Sequence, residues 1–159
     1  MLGLIVLAAG CAGKRIDNGV YHSSKGYRVT IPGAQWIPVD GGPADLELRH
    51  RAAAAGMAVN AVCEGGAPRR TAGVLARHLL IGLRDRTVIE RGTVEVAGRP
   101  ASRLVVDGRL EEAEGRVRVD SLVLKDGRCL YDFLSVGPPE GFDATRGDFD
   151  RFVESFRTE

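Results

Sequence analysis

The sequence predicts one α+β domain, with helices packed on a twisted antiparallel sheet, and three observations predict it. Short segments alternate apolar and polar residues at the two-residue period of half-buried strands, as in Tyr27, Val29 and Ile31 against Arg28 and Thr30. From Val88 to Val136 such segments follow one another with only turn residues between them, the pattern of a meander. Two other stretches switch to helical spacing, one in mid-chain and one at the end.

The elements follow in order. Residues 19–26 and Tyr27 to Pro32 read as a short hairpin ended by Pro32 and Gly33, with Trp36 in the irregular segment beyond. Gly41-Gly42-Pro43 is a turn, after which Asp45 to His50 alternates through Leu46 and Leu48. In Gly56 to Cys63 the residues Met57, Val59, Ala61 and Cys63 share one face, and residues 64–68 break that strand. Ala72, Leu75, Leu79 and Leu83 fall at helical spacing behind Thr71 as a cap, which predicts a helix over 71–83. The meander turns are expected at Gly98-Arg99-Pro100, at residues 112–115 and at Asp126-Gly127, the last a strong hairpin signal because that pair tolerates positive φ. Pro138 and Pro139 stop the final strand. A closing helix carries Phe149, Phe152, Val153 and Phe156 as one stripe, with Asp148, Asp150 and Glu154 expected to face water.

The bulk composition agrees. The 159 residues suffice for one domain with a proper core, and 44% hydrophobic and 27% charged residues are proportions of a globular chain. A net charge of +1 provides no global field toward nucleic acid or anionic lipid, so no nucleic-acid partner is expected. No internal repeat or low-complexity tract interrupts the pattern.

The first eleven residues stand apart. Leu2 to Ala9 is an apolar run of signal-peptide length, and Ala8-Ala9-Gly10-Cys11 resembles the bacterial lipobox, with Ala8 where Leu is usual. The resemblance implies a signal peptide over 1–10, diacylation of Cys11, a tether over 11–19 and a single domain over 20–159. The protein would then be held to a membrane of the bacterial cell envelope by lipid, facing the periplasm or exterior. The alternative is an N-terminal strand with a buried cysteine.

A second resemblance covers the domain. Gly26-Tyr27-Arg28-Val29-Thr30-Ile31-Pro32-Gly33 followed by Trp36 resembles the opening of PsbP-like and Mog-type domains. Val94-Glu95-Val96-Ala97-Gly98-Arg99-Pro100-Ala101 is similar to their recurrent strand and turn, and Asp148 to Phe156 to their closing helix. That family has been recruited to photosystem subunits, to Ran binding and to bacterial lipoproteins. It implies a binding or assembly module and supplies no catalytic residue to carry over.

Few residues offer chemistry. With Cys11 lipidated, Cys63 and Cys129 remain as a pair in an oxidising compartment, either bonded or as two buried thiols. His22, His50 and His78 lack metal-ligand spacing, and the acids of Asp143 to Asp150 lack the order of a calcium loop. Glu111, Glu112 and Glu114 are expected to pair with Arg116 and Arg118 across a turn, and Arg69-Arg70 to be solvated. There is no G-x-S-x-G, P-loop, G-x-G-x-x-G or HExxH motif, and no cofactor is expected. The expected role is a non-catalytic binding or assembly module with an envelope protein as a candidate partner. The alternatives are a small envelope hydrolase or metal-dependent enzyme, and a carrier of an apolar ligand, which needs a sizeable apolar cavity.

Overall fold

A computed structural model of the chain describes residues 15–63, 80–111 and 114–159. Cys11, Arg69, Arg70, His78, Glu112 and the expected helical residues 71–79 lie outside them. A small antiparallel sheet has the order β1 (Arg15–Asp17), β2 (Val20–Ser23), β3 (Tyr27–Thr30) and β11 (Arg157–Thr158). The main sheet is formed by β4 (Trp36–Val39), β5 (Leu46–His50), β6 (Gly56–Val62), β7 (Leu83–Val96), β8 (Arg99–Leu110), β9 (Val117–Lys125) and β10 (Leu130–Gly137). Its order is β4-β5-β6-β10-β9-β8-β7, all antiparallel. Among the described residues a helix, α1 (Phe142–Glu154), links β10 to β11.

Local chemistry sets the turns. Asn18 and Gly19 take φ of 47° and 76°, which closes a two-residue hairpin between β1 and β2. Arg15–Asp17, expected as tether, is therefore a paired strand. Between β7 and β8 the turn is Ala97-Gly98, φ 50° and 75°, one step before the expected position. Pro100 already lies in β8, opposite Glu95. At the third turn Asp126 Oδ1 accepts the backbone N–H groups of Arg128 at 2.8 Å and Cys129 at 2.6 Å. Burial opposes the Asp126 charge, but those donors and Tyr131 and Arg99 outweigh it and hold its carboxyl below the usual range.

The central strands β9 and β10 of the main sheet are buried on both faces, whereas β7 is exposed along most of its length. On β10, Tyr131 and Phe133 enter one cluster while Leu130, Leu134 and Val136 enter another. The inner face meets α1 and the small sheet through Tyr27, Tyr131, Phe133, Phe149, Phe152 and Phe156, each 0% exposed. Their rings meet mostly edge-on, with Tyr131 and Phe156 centroids 4.7 Å apart. The outer face holds Leu80, Leu83, Leu104, Val106, Val119 and Val123. Leu83, expected as the last helical residue, instead begins β7 and packs over Gly108, where a Cβ would stand 2.5 Å from its Cγ. Only glycine lets the two strands approach so closely there.

Polar contacts lock α1 to the sheets. Asp148, expected to face water, accepts the Trp36 Nε1–H at 2.8 Å and a Gln35 amide N–H at 3.2 Å, which also explains why Trp36 opens β4. Asp150 accepts from Arg103 Nη2 at 2.8 Å, and the same guanidinium forks onto Asp120 at 2.5–3.2 Å. Burial pulls the Arg103 pKa down, but these two carboxylates more than offset it and leave it raised. Among the described residues, Arg118 pairs with Asp107 on the neighbouring strand, and Glu111 pairs with Arg84 rather than across the expected turn.

Candidate functional site

The sulfurs of Cys63 and Cys129 are bonded, with Cα atoms 4.2 Å apart. Continuing the Val62–Leu130 register of β6 and β10 by one residue sets these cysteines opposite each other, so the disulfide extends the strand pairing. Among the described residues, His22 and His50 do not converge. His22 meets Glu159 at 3.0 Å, while His50 Nδ1 accepts the N–H groups of Ala52 and Ala53 and its ring lies edge-on to Trp36. Among the described residues no group of three or more His, Cys, Asp or Glu side chains could hold a metal ion, and no helix is long and apolar enough to cross a membrane.

Most buried charge is spent on structure. Asp45 accepts from Lys25 Nζ at 2.7 Å, Tyr27 OH at 2.8 Å and the Ala61 N–H at 3.0 Å, tying the small sheet to β6. Burial and then the Asp45 charge raise the Tyr27 pKa, so its hydroxyl stays protonated and donating.

Asp132 is the exception. It sits on the outer face of β10 between Asn60 and Val123, 8% exposed, and its Oδ1 has no hydrogen-bond partner. Burial pushes its carboxyl up to about 6. A folded-state pKa above the ordinary 3.8 means that its stabilising contribution is complete below pH 4 and is lost as pH rises through 6. Asp132→Asn should reduce that decline, the remainder coming from Asp120, whose carboxyl burial also pushes up, and raise stability at neutral pH by about 3 kcal/mol, read from urea denaturation at pH 4.5 and 7.5. An unchanged decline in the variant would exclude Asp132 as its source. Glu90 and Asp107 cannot produce it, since hydrogen bonds from Arg146 and Arg118 hold their carboxyls below the ordinary range.

The outer face also carries a cavity. An apolar cleft of about 410 Å³ is floored by Ala58, Val119, Leu134 and Val136 from three adjacent strands. Leu80, Ile81, Leu83 and Leu110 wall it on one side, and Val39, Glu47 and Arg49 border it on the other. Its volume lies within the roughly 300–1,000 Å³ of ligand clefts. Ile81 is 77% exposed and Leu110 41%, so apolar surface continues past the mouth. The sequence reading did not locate this site. The available signal was the double apolar parity of β10, where Leu130, Leu134 and Val136 alternate with Tyr131 and Phe133: a strand apolar at both parities has two covered faces.

Comparison with known proteins bears on the fold. No protein-family model matches the chain, and no curated protein does. Solved structures do match. The solution structure of cyanobacterial PsbP (CyanoP) from Synechocystis superposes with a TM-score of 0.61 at 18% identity, covering 95% of this chain and 99% of that one. LpqN of Mycobacterium tuberculosis, described as involved in cell envelope biogenesis, gives 0.62 at 10% identity over 87% of this chain and 88% of that one. A protein of unknown function from Pseudomonas aeruginosa gives 0.55 at 14% identity, over 88% and 96%. The chain has the PsbP-like α+β fold.

Proposed function

We propose that this protein is a non-catalytic binding module of the bacterial cell envelope, held to a membrane through lipid on Cys11, whose outer-face cleft takes up an apolar ligand. The observation that carries this reading is the cleft itself: ligand-sized, lined by aliphatic side chains, and bordered by charge only at its rim. A hydrolase would need a nucleophile and base within hydrogen-bond reach in a shared cavity, whereas His22 and His50 are each engaged with separate local partners. The fold shared with an envelope-biogenesis protein supports an extracytoplasmic setting.

The test is titration of the full chain with monolauroylglycerol below its micellar concentration, followed by calorimetry. Saturable stoichiometric binding is expected, and Ala58→Phe, which fills the floor, should remove it while leaving the circular dichroism unchanged. Binding that survives Ala58→Phe would place the ligand elsewhere, and no binding by the parent would refute the cleft as a ligand site. Intact mass of membrane-extracted protein tests the anchor: a mature chain beginning at acylated Cys11 is expected, and an unprocessed Met1 chain would overturn it.

A further inference from the structure

Resting on the apolar-cleft reading, the geometry points to a second subsite beside it: we infer that Arg84, Asp85, Arg109 and Glu111 receive the headgroup of a single-tailed amphiphile carrying both a phosphate and an ammonium. These four side chains and Leu110 line a polar pocket of about 420 Å³. Leu110 lines the apolar cleft as well, so the two spaces adjoin at one residue.

The local backbone explains how polar and apolar spaces meet there. Leu83 pairs with Leu110 and faces the cleft, while the next pair, Arg84 opposite Arg109, must face the other way. The β7–β8 register shifts immediately after Arg84, and Asp85 takes φ 51° in the irregularity. A bulge of this kind re-aims side chains at a sheet margin. Like charges directly opposite on adjacent strands repel, so setting Arg84 against Arg109 costs stability unless anions lie nearby. Two do: Glu111 accepts from Arg84, and Asp85 lies 3.7 Å from Arg109.

Those pairs are loosely held. All four side chains are 59–67% exposed, where an ion pair contributes at most about 1 kcal/mol. They can exchange partners at little cost. A phosphate accepts bidentate donation from the two guanidiniums, and an ammonium on the same headgroup meets the carboxylates they release. A purely anionic head would satisfy the arginines but face both carboxylates. A neutral head would leave the existing pairs as they are and gain nothing. A cleft of about 410 Å³ suits one tail better than two.

The experiment compares lauroyl lysophosphatidylethanolamine, monolauroylglycerol and dodecyl phosphate by calorimetry on the full chain, all below micellar concentration. The zwitterion should bind roughly tenfold more tightly than the monoacylglycerol. Arg84→Ala with Arg109→Ala should abolish that preference and leave monolauroylglycerol unchanged. Asp85→Asn with Glu111→Gln should weaken the zwitterion and strengthen dodecyl phosphate. Equal affinity for zwitterionic and neutral amphiphiles, or arginine variants that weaken both alike, would overturn the headgroup subsite while leaving the apolar cleft standing. Failure of all three ligands to bind would refute the cleft and, with it, the subsite.

Discussion

Asp120→Ala should lower the free energy of unfolding by about 3 kcal/mol, measured by urea denaturation at pH 7. Asp120 is 0% and Arg103 11% exposed on their side chains, so the substitution leaves a desolvated guanidinium whose remaining carboxylate, Asp150, is 40% exposed. Removing one partner of such a pair costs more than the pair itself contributes, because the cost is that of the charge left behind. The double change Arg103→Met with Asp120→Leu should therefore recover most of the loss. A cost for Asp120→Ala near that of an exposed pair, below about 1 kcal/mol, would mean that water reaches the guanidinium. The helix side then needs no buried charge to stay docked.

Loss of the disulfide should cost about 4 kcal/mol, since it ties residues 66 apart in the chain and so restricts the unfolded ensemble. Cys63→Ala with Cys129→Ala, compared with the parent by denaturation with and without reductant, separates the covalent tie from the sulfur packing. The parent under reductant and the double variant should fall together. A parent unaffected by reductant under denaturing conditions would show the cysteines to be unbonded in solution. Because the bond extends the β6–β10 register, its loss should also open that end of the strand pair first, visible as faster amide exchange at Val62 and Leu130.

Much of the architecture was legible because its determinants are local. Alternation identified β3, β5 and β6, and Asp126-Gly127 located a turn whose Asp side chain closes it with two backbone bonds. The apolar stripe of α1 was visible from spacing alone, and Phe149, Phe152, Val153 and Phe156 are all buried. The errors fell where local pattern and tertiary partner disagree. Asp148 looks like a solvent-facing helical acid until Trp36, distant in sequence, arrives beside it, whereas Asp150 stays 40% exposed on its side chain while also accepting from Arg103. Arg15–Asp17 looked like tether because its polar residues mask the Asn18-Gly19 turn that pairs it. Leu83 fits a helical period and a strand equally well, and packing against Gly108 decides between them.

What the sequence by itself determined is therefore the α+β class, strands β3, β5 and β6, the closing helix and the Asp126-Gly127 turn, since each depends on residues within a few positions of one another. The candidate site was decided only by tertiary structure. Its floor joins Ala58 of β6 to Val119 and Leu134 of the distant β9 and β10, because β10 inserts between β6 and β9. Its polar neighbour depends on a register shift that appears only when β7 meets β8. A cavity is volume left unfilled between elements, and no single segment encodes it.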